Sequence, residues 1–67
     1  MKSILKLSKI NGYNDVVSLR EAVADNEGVI ACQVSLEKNE ISIVYDDYFL
    51  NEEDLIQSIE EAGFTVI

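Results

Sequence analysis

Polar and apolar residues alternate near the start of the chain. In residues 3–8, Leu5 and Leu7 fall on one side of an extended chain, and Lys6 and Ser8 fall on the other. This period of two predicts a β-strand with one covered face. Three further segments are predicted strands: residues 29–37 with Cys32, Val34 and Leu36 on one face, residues 40–46 with Ile41, Ile43 and Tyr45 on one face, and the closing residues 64–67.

A helical period follows the first strand. The segment from about Asn14 or Asp15 to Asn26 is predicted to be a helix, and either of the first two residues can cap its amides. Ser18 and Glu21 also fit a capping box, so a later start stays open. The predicted buried stripe consists of Val16, Leu19, Ala22 and Val23.

A second helix is predicted between Asn51, as its N-cap, and Gly63, which ends it. Three acids, Glu52, Glu53 and Asp54, would lie at its positive end. The predicted buried stripe consists of Leu55, Ile56, Ile59 and Ala62.

Two turns complete the prediction of local structure. Gly28 follows the first helix and is free to take positive φ. Lys38 and Asn39 separate two strand patterns and predict a two-residue hairpin turn, because Asn tolerates positive φ.

The predicted order is βαββαβ, in one domain spanning residues 1–67. With one apolar face per element, this order favours an α+β fold in which both helices cover one face of a four-stranded antiparallel sheet. That arrangement is the ferredoxin-like sandwich.

Charge narrows the classes of partner. The 67 residues carry a net charge of −8. The first twenty residues hold four bases against Asp15, whereas the rest hold Lys38 against twelve acids. No basic stripe is present, so nucleic acid is not expected as a partner. A basic protein surface or a cation fits this balance better, and solubility alone is the simpler explanation.

Three further features bear on location and chemistry. No segment is long and apolar enough to insert in a membrane, and Lys6 and Lys9 interrupt the start of the chain, which does not read as a signal peptide. We therefore expect a cytoplasmic protein. Cys32 is the only cysteine, His is absent and Arg20 is the only arginine. These residues supply no catalytic set, and no enzyme is expected.

The second half of the chain carries a family resemblance. A "GV" opens the second strand, "SLEKNE" forms the hairpin turn, and "IEEAGF" precedes the end. With these motifs the chain resembles the heavy-metal-associated domain of copper chaperones and metal-transporting ATPases. The resemblance implies a metal site in the first loop, built from a Cys-x-x-Cys motif whose second cysteine starts the first helix.

The metal motif itself is missing. The family spacing places its two cysteines at Gly12 and Asp15, with Tyr13 and Asn14 between them, and a preceding methionine at Ile10. The resemblance also places an aromatic residue, Phe64, beside this loop, although a core position for Phe64 is the simpler expectation. Tyr13 is expected to be either a contact residue or a solvent-facing loop residue.

Loss of both thiols changes the expected chemistry. Cu(I) prefers thiolate or thioether ligands, whereas Gly12 has no side chain and Asp15 offers a hard oxygen. Cys32 is predicted to be a core residue. We therefore predict no metal site and no bound cofactor in one chain, and a transition metal held by non-standard ligands is the alternative. The acids near residues 46–54 lack the spacing of a calcium loop.

Three functions remain open at this stage. The first is a non-catalytic interaction or regulatory module that docks a basic protein surface or a metal-transport ATPase domain. The second is a copper or zinc protein that uses Asp15, backbone oxygens, or Cys32 from two chains. The third is a regulatory domain that binds a small ligand at a dimer interface.

Overall fold

A computed structural model describes all residues of the chain, 1–67. Its elements, in chain order, are β1 Lys2–Lys6, α1 Tyr13–Ala24, β2 Val29–Ser35, β3 Glu40–Tyr45 and α2 Glu52–Glu61. The predicted types and order of these five elements are confirmed. No helix is long and apolar enough to span a bilayer.

The sheet is antiparallel and has three strands in the order β1-β3-β2. The predicted fourth strand is reduced to a single bridge between Leu7 and Val66. Two backbone hydrogen bonds flank it, from Ser8 N to Thr65 O at 3.0 Å and from Ile67 N to Lys6 O at 2.8 Å. The bridge and these two bonds place the segment beside the end of β1, without a longer ladder.

The core lies on one face of this sheet. Eleven buried apolar side chains form one cluster: Leu5, Leu7, Ile10, Leu19, Val23, Ile41, Ile43, Tyr45, Leu50, Leu55 and Ile59. Because the inward residues of the strands and of both helices belong to the same cluster, α1 and α2 cover the same face, as predicted. The opposite face is open, and Ile4 on it is 57% exposed.

The helix stripes are narrower than predicted. Leu19 and Val23 of α1 and Leu55 and Ile59 of α2 are buried. Val16, Ala22 and Ile56 are only partly buried, and Ala62 is exposed at the end of α2. A helix on a three-stranded sheet contacts it along a narrow line, so residues at the margins of the stripe stay in contact with solvent.

The predicted start of α2 is confirmed. The Asn51 side chain accepts a hydrogen bond from Asp54 N at 3.0 Å, and Asp54 Oδ2 accepts one from Asn51 N at 2.9 Å. This reciprocal pair satisfies two amides that the helix cannot pair internally. Gly63 follows the helix with φ +97°.

The predicted caps of α1 are wrong. The helix begins at Tyr13, its N-cap is Gly12, and no side chain accepts a hydrogen bond at that position. Both Asn14 and Asp15 therefore lie inside the helix. The later start at Ser18 is also wrong, since that residue lies in the second turn.

The β2–β3 connection differs from the prediction too. Ser35 pairs with Glu40, so residues 36–39 form a four-residue loop and not a two-residue turn. Leu36 falls in this loop and is exposed, which corrects its predicted place on the inner face of β2. Asn39 has φ +53°, as its turn position predicted.

Two polar contacts connect distant parts of the chain. Ser3 Oγ donates to Glu52 Oε2 at 3.0 Å and lies 3.2 Å from the Tyr45 hydroxyl, which therefore donates to Ser3. Asn26 Nδ2 donates to Ser58 Oγ at 2.9 Å and joins the end of α1 to α2. These bonds satisfy the polar atoms at the two places where helices meet neighbouring elements.

Candidate functional site: the loop before the first helix

The loop between β1 and α1 is anchored at Ile10. The side chain of Ile10 is buried in the core, and its amide donates to Asn39 Oδ1 at 3.2 Å. The Asn39 carbonyl also accepts a hydrogen bond from Leu7 N at 2.8 Å. One residue of the β2–β3 loop, Asn39, thus fixes the position of the first loop by accepting these two hydrogen bonds.

Gly12 sets the conformation at the tip of this loop. Its φ is +92° and its ψ is −167°, a region of backbone conformation that is essentially restricted to glycine. An added Cβ would meet no atom within 4 Å, so space is available and only the backbone conformation excludes a side chain. The Gly12 carbonyl accepts a hydrogen bond from Val16 N at 3.3 Å, at the start of the helix.

Asp15 closes the loop from within the first turn of α1. Its Oδ2 accepts a hydrogen bond from Asn11 N at 2.7 Å. A carboxylate is also favoured at the positive end of a helix. Asp15, at which the family resemblance implies the second cysteine, therefore makes a hydrogen bond within the protein.

The remaining predicted site residues divide into exposed and packed ones. Tyr13 is 75% exposed, and Asn14 is exposed beside it. Phe64 is partly buried and packs against the core. It also lines a shallow depression together with Lys9, Asp15 and the other residues of the segment 62–65. The structure therefore brings Phe64 and the end of α2 beside the first loop.

The donors at this loop do not fit a soft metal ion. The Asp15 carboxylate is engaged by an amide, Lys9 adds a positive charge to the same depression, and no thiol lines it. Cys32 lies elsewhere, in a groove between α1 and β2. No three His, Cys, Asp or Glu side chains are grouped in a way that could hold a metal ion.

Sequence reasoning missed two contributions to this site. The hydrogen bond from Ile10 to Asn39 joins residues 29 positions apart, and no local pattern signals it. The sequence pattern predicts Asp15 as a helix cap, but its carboxylate instead accepts a hydrogen bond from the amide of Asn11, four residues earlier. A short polar side chain near a helix start has both options.

Comparison with solved structures defines the class of this fold. The chain superposes over 98–100% of its length on heavy-metal-associated domains, among them a metallochaperone and a copper-binding domain of a P-type ATPase. The resemblance inferred from the sequence motifs is thereby confirmed, together with the ferredoxin-like architecture in its three-stranded form. No family model matches the sequence, and no curated protein is similar enough in sequence to match it.

Three solved structures illustrate the similarity. A protein described as CopZ metallochaperone is 24% identical, with a TM-score of 0.96 and full coverage of both chains. A copper-binding domain of the P-type ATPase HMA7 is 27% identical, with a TM-score of 0.94, and the match covers 98% of this chain and 89% of that chain. Oxidized MerP from Ralstonia metallidurans is 18% identical, with a TM-score of 0.93, and the match covers 100% of this chain and 93% of that one.

Removal of the Asp15 carboxylate should loosen the loop. We expect Asp15→Ala to lower the free energy of unfolding by about 1 kcal/mol, because a charged acceptor and a favourable charge at the helix start are both lost. Urea denaturation measures this loss, and hydrogen exchange of the Asn11 amide should become faster. Asn14→Ala, on the exposed neighbour, is the control and should leave both unchanged. Equal behaviour of the two variants would contradict the assigned role of Asp15.

Proposed function

We propose that the chain is a non-catalytic module with the heavy-metal-associated fold, which docks other proteins through its first-loop end. The single observation that carries the proposal is the hydrogen bond from Asn11 N to Asp15 Oδ2. This bond stabilises the loop by protein atoms at the place where the family resemblance implies metal ligands. The loop thus gains part of its shape from a contact within the protein.

The exposed surface around the loop supports docking. Tyr13 presents a largely exposed aromatic ring at the tip, and Tyr is a residue type enriched at protein contacts. The segment after α2 lies beside the loop, and the two acids Glu60 and Glu61 directly precede it. A partner approaching this end meets an exposed aromatic ring, and the acids of α2 lie on the helix that leads to the neighbouring segment.

The negative charge of α2 supports a basic protein surface as the partner. α2 carries five acids, Glu52, Glu53, Asp54, Glu60 and Glu61, and no base. Such a field attracts a basic protein surface over a distance of about 8–10 Å at physiological ionic strength. Two of the structural neighbours described above are a metallochaperone and a domain of a P-type ATPase. We accordingly propose a basic surface on a metal-transport ATPase domain, or on another protein, as the partner.

The non-catalytic part of the proposal rests on composition. The chain has no histidine, and its one arginine, Arg20, lies on the exposed side of α1. Acid–base or nucleophilic catalysis needs groups held within hydrogen-bond reach of one another. The depression beside the loop offers only Lys9 and Asp15 as charged groups, and one Asp15 oxygen is engaged by the Asn11 amide.

Metal handling is the second candidate, because the structural neighbours include copper-binding domains. In this chain it would require Asp15 with backbone oxygens, or Cys32 from two copies. A soft ion such as Cu(I) is poorly served by the first set. Competition of the wild-type protein with a Cu(I) chelator separates this candidate from the docking module. Stoichiometric retention of copper at submicromolar free concentration would favour metal handling.

Charge reversal near the loop tests the docking proposal. A partner isolated by pull-down from native cell extract at low salt should associate more slowly with Glu60→Lys than with wild type, by about threefold to tenfold. High salt should remove this difference because it screens the attraction. Surface-immobilised binding kinetics measure both effects.

Glu53→Lys is the matched control for that experiment. It makes the same charge change on an exposed position of the same helix, but about 10 Å farther from the loop end. We expect a smaller reduction in association rate. An equal reduction in both variants would place docking on the acidic helix as a whole. Recovery of no specific protein at low salt would remove the support for the proposal.

A further inference from the structure

β2 is an open edge of the sheet. Its neighbour on one side is β3, and no strand lies on the other side. The opposite edge is different, because the end of β1 is covered by the bridge from Leu7 to Val66. β2 is also the longest strand, with seven residues.

The backbone of this edge has unpaired groups in its centre. Tyr45 N donates to Met1 O at 2.9 Å, on the β1 side of β3, and Asp46 N donates to Gly28 O at 2.8 Å, on the β2 side. Alternation along an antiparallel ladder then makes Ala31, Gln33 and Ser35 the residues that bond to β3. The amides and carbonyls of Cys32 and Val34 consequently point to the open side.

The edge lacks the usual protection against pairing. Exposed edge strands commonly carry lysine, proline or inward charges that prevent association, whereas Val29–Ser35 contains no charged residue and no proline. A register irregularity at Val29 and Ala31 affects only the start of the strand. Ile30 is 70% exposed in this region, so an apolar side chain lies beside the free backbone groups.

An apolar groove of about 520 Å³ follows the edge between α1 and β2. Six of its eight lining residues are hydrophobic, and its charged residues are Arg20 and Glu21, which cancel. The chain as a whole carries −8. This groove is therefore an electrically balanced surface on a strongly acidic molecule.

We propose that this edge pairs with the β2 strand of a second copy of the chain, in an antiparallel dimer centred on Cys32. A two-fold interface must be complementary to itself, and a groove with one cation and one anion meets that condition. A basic partner would find no excess negative charge here. The free groups of Cys32 and Val34 supply the hydrogen bonds, and the two grooves supply apolar area.

The dimer is expected to be weak and reversible. A standard interface buries about 800 Å² on each partner, which is about a fifth of the 4386 Å² accessible surface of this small protein. One strand edge with its groove covers less than that. Repulsion between two chains of charge −8 opposes association further, so higher salt should strengthen the dimer. This salt dependence is opposite to that of docking on a basic partner, which separates the two proposals.

Sedimentation of the wild-type protein tests the proposal directly. Its average mass should rise from one chain towards two chains between micromolar and millimolar concentration, and should rise further with salt. Hydrogen exchange of the Cys32 and Val34 amides should slow as the dimer forms. A mass of one chain at every concentration and salt, or exchange at these amides independent of concentration, would overturn the proposal.

Two variants with the same chemical change localise the interface. Ile30→Lys places a like charge on both copies beside the edge and should keep the protein monomeric. Ile4→Lys makes the same change at an exposed position on the open face of β1 and should associate as the wild type does. Association of Ile30→Lys like wild type, or an equal loss in both variants, would overturn the assignment to β2.

A thiol probe tests the register. Hydrogen-bonded residues in an antiparallel pair have Cα atoms about 5.5 Å apart, within the range of about 4.4–6.8 Å that a disulfide bridges. Diamide, which takes up the two hydrogens, should therefore link two chains through Cys32 faster in wild type than in Ile30→Lys. Equal rates would contradict a dimer centred on this residue.

Discussion

A double variant, Gly12→Cys with Asp15→Cys, should bind Cu(I) with micromolar or tighter affinity, whereas the wild-type monomer should not. Two thiolates would then stand at the loop positions where the family resemblance implies metal ligands, and soft ligands of this kind select Cu(I). The expected effect is a gain of function, and it measures how much of the loop architecture persists without the metal.

The loop conformation opposes this gain by a limited amount. Cysteine at Gly12 cannot keep φ +92° with ψ −167° without strain, which is on the order of 1–3 kcal/mol. Replacement of Asp15 also removes the acceptor of the Asn11 amide, at about 1 kcal/mol. A micromolar dissociation constant corresponds to about 8 kcal/mol. The two thiolates must supply this free energy in addition to the cost of reshaping the loop.

Chelator competition measures the affinity of the double variant. The single variants Gly12→Cys and Asp15→Cys are the controls, since each adds one thiol to the same loop and should bind copper far more weakly. If the double variant retained no more copper than either single variant, the two positions would not converge on one ion. The loop would then differ from the family arrangement in more than its side chains.

The substitution Gly28→Ala should destabilise the protein strongly. A Cβ at this position would lie 2.5 Å from Leu50 Cδ2 and 2.8 Å from Phe49 Cβ, and φ is +101°. The backbone conformation costs an alanine about 1–2 kcal/mol, and overpacking adds about 1–3 kcal/mol. The sum of these two costs is a large share of the free energy of unfolding, which is expected to be roughly 3–10 kcal/mol for a chain of this length.

Gly63→Ala is the matched control for Gly28→Ala. Its φ is +97°, but an added Cβ would meet no atom within 4 Å. Only the conformational part of the cost applies, so we expect a loss of about 1–2 kcal/mol. Chemical denaturation of both variants measures the difference. Equal losses would show that the chain around Leu50 and Phe49 relaxes to accommodate the methyl group.

The strands and helices were predictable because their signals are local. The alternation of Ile41, Ile43 and Tyr45 defines the inner face of β3, and the reciprocal bonds of Asn51 and Asp54 follow from their spacing. The last strand was overestimated, since alternation in four residues does not report how many partners the backbone finds. The start of α1 was missed because its N-cap, Gly12, has no side chain that a cap pattern could reveal.

The candidate site was predictable in position but not in structure. The absence of thiols at Gly12 and Asp15 could be read directly from the chain. The hydrogen bonds from Ile10 to Asn39 and from Asn11 to Asp15 could not be read from the chain in this way. The first depends on how the β2–β3 loop folds, and the second is one of several bonds that an aspartate near a helix start can make.

The hydroxyl contact of Ser3 with Tyr45 and Glu52 bears on the order in which the chain folds. Ser3 lies 42 and 49 positions before these partners along the chain, and closing longer loops costs more conformational entropy. Ser35 and Glu40, by contrast, are five positions apart. We therefore expect the β2–β3 hairpin to form early and β1 to dock late on β3. Until β1 arrives, β3 has a free edge on its other side, and the docking that brings Ser3 to Tyr45 and Glu52 ends the interval in which this edge of β3 is open to other chains.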